Sequence, residues 1–268
     1  SAAHTPLAVM LVLSQLAVGA YLAGLSTRGP VATIAAVVAA LAAMGASVTH
    51  LGRPHLAWRA FIGIRHSWVS REILALSAFA GLAAVHALLV VTGREPSIAL
   101  TTSASVSGIA AVACSVAIYA ATGRRWWRAP ALGLRFGTTV ALSALAVALI
   151  AAPHRAWVGI DMAVVTGTSL AVELAVLRHR REPRSELGRT AVLLTGALSP
   201  VLTGRVLIAI LGGVVAPTIA VGAARHGATG ASVVFAVVSL MAIVAAALLE
   251  RHLMFTASAA PRMPGTPR

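Results

Sequence analysis

Eight long apolar runs, separated by short clusters of Arg, Pro and Gly, constrain this chain more than any other feature. They fall at about 5–26, 31–49, 72–92, 99–121, 133–152, 158–177, 201–222 and 230–250. Each is near the roughly 20 residues that an α-helix needs to cross hydrocarbon. Backbone in lipid must satisfy its own hydrogen bonds, so the runs predict helices. The expected fold is an all-α integral membrane protein, one bundle of eight transmembrane helices over 1–268 with short interfacial helices. Composition excludes a soluble domain: 59% of the residues are apolar and 10% charged, against roughly half and a quarter in soluble proteins. Two longer mixed stretches, 55–66 and 184–200, read as helices lying at the interface. Ser1 to Pro6 show no basic region or cleavage pattern, so the first run reads as a retained helix rather than a signal peptide.

The charges orient the bundle. All 21 basic residues are Arg, against 7 acidic ones. If both termini and the loops after the second, fourth and sixth runs share a side, that side holds sixteen arginines and the other four, with Arg205 just inside the seventh run. This bias places the termini and the 50–71 loop in the cytoplasm, with the protein multi-pass in a bacterial inner membrane. It also argues against nucleic acid as a partner. The basic, aromatic run Arg124-Arg125-Trp126-Trp127-Arg128 lies between helices, where it reads as an anchor on anionic membrane lipid. Cys114 is the single cysteine and sits in an apolar run, so a disulfide framework, a thiolate zinc site or an iron–sulfur cluster would have to belong to another chain. No metal site is expected here.

Residues 50–73, HLGRPHLAWRAFIGIRHSWVSREI, hold three His, four Arg, two Trp and one Glu, far more chemistry than a connection needs. His50 ends the second run and Glu72 opens the third, so an imidazole and a carboxylate meet at the membrane boundary. A quinone headgroup needs a hydrogen-bond donor, a proton acceptor and apolar walls. His50 and Glu72 could supply the first two, Trp58, Phe61 and Trp68 the walls, and Ser67 a further contact. The plainer alternative is that His50 caps a helix, Glu72 meets a helix dipole and the Trp and Arg form an interface belt. A b-type haem is not expected, because only His86 lies well inside a run. His86 follows Glu72 by 14 residues, about 21 Å along a helix and nearly on one face. Glu72, His86 and Glu173 could therefore form a proton path; a hydrogen-bonded core histidine and a Glu173–Arg205 contact are the simpler readings. Asp161 and Glu173, being costly in hydrocarbon, should both face the bundle. Glu250 and Arg251 end the last run and read as part of a partner-holding tail.

The motifs HLGRP at 50–54, SWVSREI at 67–73, and LLERHLMF with PRMPG at 248–265 resemble the DmsC-type membrane-anchor subunits, of the NrfD-like quinone-interacting family, of dimethyl sulfoxide reductase-type molybdoenzymes. The resemblance implies an eight-helix subunit without haem or redox centre of its own. It would bind menaquinone or ubiquinone and dock an iron–sulfur electron-transfer subunit, itself joined to a molybdopterin catalytic subunit. His50 would be the quinone-site histidine and Glu72 its acidic partner. Arg53, Arg59, Arg65, Arg71 and Arg251 would hold the partner. Relatives often carry Asn near Ile62 and Gly63, where this chain is apolar. Two other classes stay open: a small secondary transporter, which would show paired repeats with interrupted helices, and an inert anchor. A cytoplasmic 50–71 loop would place the catalytic subunits there too, as in sulfite:quinone oxidoreductases rather than exported reductases.

Overall fold

The structure is a computed structural model that describes residues 5–27, 30–49 and 63–258. Among these every regular element is helical, and eight rods are long and apolar enough to cross a membrane. The first four are α1 Thr5–Thr27, α2 Pro30–Thr49, α3 Trp68–Val91 and α4 Ile98–Ala120, followed by a 3-10 turn Arg125–Trp127 and α5 Ala129–Ala151. α6 Ala156–Leu174 continues through 3-10 residues Ala175–Arg181, and α7 Glu186–Thr195 is short. The seventh rod is composite: α8 Ser199–Ile210, a π turn Leu211–Val215 and α9 Ala216–Arg225. The chain then ends in α10 Thr229–Thr256.

Local sequence explains the ends and the irregularity. Ser67, Ser97 and Ser185 cap α3, α4 and α7 by accepting from the amides of Ser70, Leu100 and Gly188. Gly93 and Gly123, at φ 72° and 73°, turn the chain after α3 and α4 in a left-handed conformation that other residues resist. The π turn precedes Pro217, which has no amide to give to the preceding turn. The loosened carbonyls are met by side chains instead: Ser239 donates to Gly212 O at 2.6 Å and Thr218 to Val214 O at 2.6 Å.

α1 is the interior helix. It packs on α2 and α5 and also touches α4 and α10, while α3 lies on α2 and α4. α6, α8, α9 and α10 gather around the other flank of α5. Small residues set the closest approach: a Cβ at Gly19 would stand 2.5 Å from Val140 O, so only glycine lets α1 and α5 meet there. One core joins α1–α4 through Ala17, Tyr21, Ala40, Phe79, Ala83 and Ala104. A second closes the arginine-rich end through Leu11, Trp126, Trp127, Phe136 and Leu253.

Two expectations are corrected here. Trp126 and Trp127 are buried, and Trp127 Nε1 donates to Met254 O at 3.3 Å, so they plug the bundle end instead of facing lipid headgroups. Asp161 faces outward, not into the bundle. It lies in the second turn of α6, close enough to the rod's end for a carboxylate to reach the headgroup region. Arg135 lies in the second turn of α5 and is 2% exposed. Of the two interfacial stretches, 184–200 holds α7, whereas 55–62 lies outside the described residues and Gly63–His66 form a turn.

Candidate functional site

Glu72 occupies the second turn of α3, and the approach to it is built from the sequence just before. The turn Gly63–His66 is closed by amides of His66 and Ser67 donating to Gly63 O at 3.0 and 2.9 Å. Gly63 passes so close to α3 that a Cβ would lie 2.7 Å from Ser70 Oγ. Arg71 folds back over this turn: Nε donates to Ile64 O at 2.9 Å and Nη2 to Arg65 O at 2.9 Å. Its guanidinium also covers the Trp68 ring at 4.3 Å. Arg71 thus acts first as a clamp on the loop, while Arg65 and Trp68 remain exposed. Ser67, a proposed quinone contact, serves here as the helix cap.

The Glu72 carboxylate itself is buried and accepts through Oε1 from Ser115 Oγ of α4. Oε2 has no partner among the described residues. A carboxylate held by one neutral donor at the mouth of a helix pair can still exchange a proton or accept another hydrogen bond. His50 and Trp58, expected beside it, lie outside the described residues, as do Arg53 and Arg59.

His86 does share Glu72's face of α3, at its other end. Its Nδ1 lies 2.8 Å from the Tyr21 hydroxyl. The buried side chains between them on that face are Leu76, Phe79, Ala80 and Ala83, so no polar side chain on α3 links the two. Glu173 is not brought to either. It faces α8 and pairs with Arg205 Nε at 3.3 Å, and Arg205 Nη2 reaches Ser169 at 3.3 Å. The structure therefore does not assemble Glu72, His86 and Glu173 into one path.

A second ionic group, which sequence reading missed as a unit, lies beside α1, α5 and α10. Arg135 Nε donates to Glu250 Oε1 at 2.5 Å, and Arg251 pairs with Glu250 Oε2. Arg251 Nη2 also donates to Gln15 Oε1 at 2.8 Å and approaches Thr139 Oγ1 at 3.3 Å. The rings of Phe136 and Trp126 lie under Arg251 and Arg135 at 4.1 and 4.7 Å. Arg251 is 0% exposed. Its assignment to partner docking is therefore corrected: α10 runs on to Thr256 and holds this guanidinium inside the bundle. Polar Gln15 and Thr139 amid apolar runs were the available signal.

No family model matches the chain, and no solved structure matches it. Over 171 residues it is 31% identical to a sulfite dehydrogenase subunit from Allochromatium vinosum, the match covering 56% of this chain and 52% of that protein. The chain thus spans about half the length of the curated relative it matches.

Proposed function

We propose that this chain is the membrane subunit of a sulfur-oxidising redox complex, exchanging electrons between the quinone pool and a partner iron–sulfur subunit. The single observation that carries the reading is Glu72, a buried carboxylate at the mouth of α3 that keeps one oxygen free of protein partners among the described residues. An intramembrane carboxylate without a cation partner is costly and marks a ligand or proton site. The likeness to a subunit of a sulfite dehydrogenase supports the sulfur-linked complex. The HLGRP and SWVSREI motifs support a DmsC-type anchor.

Quinone, when bound, supplies the two-electron chemistry. The residues of this chain would bind and orient it: His50 would give a hydrogen bond to one oxygen, Trp58 and Trp68 would supply apolar walls, and Glu72 would take or give the proton. Ser115 holds the carboxylate in place. Arg53, Arg59 and Arg65 hold the acidic face of the iron–sulfur partner, which joins a molybdopterin catalytic subunit on the cytoplasmic side of a bacterial inner membrane.

His50→Ala and Glu72→Gln, made in the assembled complex, test this. Quinone-coupled turnover should fall at least tenfold while turnover with an artificial dye at the catalytic subunit persists. Unchanged quinone turnover in both variants refutes the site. Purification of the chain without an iron–sulfur or molybdenum protein refutes the complex.

A further inference from the structure

A cleft of ≈ 420 Å³ opens at the end of the bundle remote from Glu72, where the last turns of α1 and α3 and the first turn of α4 diverge. Leu25 and Val90 line it, Arg94 and Glu95 are its exposed charges, and His86 is a buried side chain of its lining. Its size admits a small amphipathic headgroup, and its lining is more polar than apolar, with His86, Arg94, Glu95 and Thr101 standing against Leu25 and Val90.

The imidazole in this cleft is held in one orientation. Tyr21 is fully buried, and its ring meets His86 and Phe79 edge-on at centroid distances of 5.2 and 5.6 Å. The Tyr21 hydroxyl has no partner among the described residues other than His86 Nδ1. A buried phenol proton left unpaired is unfavourable, so Tyr21 donates and Nδ1 accepts. A neutral imidazole whose Nδ1 accepts carries its proton on Nε2. That N–H has no protein partner among the described residues and belongs to a side chain lining the cleft. The site therefore presents a fixed donor to a ligand oxygen, with an exposed cation, Arg94, for a second one.

We propose that this cleft is a second headgroup site for a membrane quinone, one carbonyl oxygen accepting from His86 Nε2, the ring between Leu25 and Val90, and the other carbonyl toward Arg94. The proposal rests on the quinone reading above and adds a binding site to it, with no electron or proton transfer assigned. The two sites stand about 21 Å apart along α3, with Leu76, Phe79, Ala80 and Ala83 packed between. One headgroup cannot occupy both.

The test is photolabelling of membranes that carry the full chain with its partner subunits, using a short-chain azidoquinone and mapping the adducts by mass spectrometry. The expected result is saturable labelling within 86–101, competed by unlabelled quinone. It should weaken roughly tenfold in apparent affinity in His86→Leu, as for one lost hydrogen bond, and survive in His86→Gln, whose amide still donates. Tyr21→Phe, which releases the ring, should weaken it several-fold, and Glu72→Gln should leave it unchanged. Absence of adducts at 86–101, or equal labelling in wild type, His86→Leu and Tyr21→Phe, overturns the proposal. So does labelling there that phospholipid competes and quinone does not. Labelling confined to 63–72 and lost in Glu72→Gln overturns the second site alone. No saturable labelling anywhere overturns both.

Discussion

Glu250→Gln should destabilise the bundle more than any exposed charge change, because one carboxylate there serves two guanidinium groups. Arg135, Glu250 and Arg251 are 2%, 3% and 0% exposed, and both carboxylate oxygens are engaged. The amide keeps the shape but removes the charge, leaving two buried cations without an anion in contact. Breaking a buried pair costs about 3–5 kcal/mol. The lower end applies, since Arg251 keeps Gln15 and Thr139 and Arg135 keeps the Trp126 face. At roughly 2–4 °C per kcal/mol for a chain of this size, the melting temperature should fall by about 6–12 °C. The sole cysteine, half-buried Cys114, makes a thiol-reactive dye a direct reporter of unfolding in detergent. The control is Glu182→Gln, whose partner His179 lies at 3.3 Å with both side chains well exposed and whose loss should cost under about 1 kcal/mol. Adding Arg135→Met to Glu250→Gln should recover part of the loss, because one of the stranded cations is then gone. A Glu250→Gln shift no larger than that of Glu182→Gln, or strict additivity with Arg135→Met, would refute the reasoning.

Other substitutions probe the packing and the approach to Glu72. Gly19→Val places a Cβ 2.5 Å from Val140 O and 2.9 Å from Ala144 N and should cost roughly 2–3 kcal/mol by forcing α1 from α5. Gly81→Ala, with nothing within 4 Å, should leave the same dye melt unchanged or slightly raised. Ser67→Ala removes the cap on Ser70 N and should cost about 1 kcal/mol, seen as faster hydrogen exchange at residues 69–71 with little change in the global melt. Arg71→Gln loses the bonds to Ile64 O and Arg65 O; trypsin cleavage after Arg65 should rise several-fold, and an unchanged rate would show that the clamp does not hold the turn.

The sequence by itself determined the eight crossings, because lipid offers the backbone no partner and any apolar run of this length must be helical. It also located Glu72 at a helix mouth and His86 on the same face, since both follow from counting residues along α3. It placed Glu173 inside the bundle, where the cost of a lone carboxylate demanded a partner. What it read wrongly was the direction taken by charges near helix ends, because a side chain there can reach the headgroups or turn inward at similar distance from the boundary. Asp161 turns outward; Arg135 and Arg251 turn inward. Only the tertiary structure decides this, for Arg135 meets Glu250 across 115 positions and Arg251 meets Gln15 across 236. The same holds for Trp126 and Trp127, which read as an anchor on membrane lipid until α10 is packed over them, and for the cleft at His86, which exists because α1, α3 and α4 part at one end.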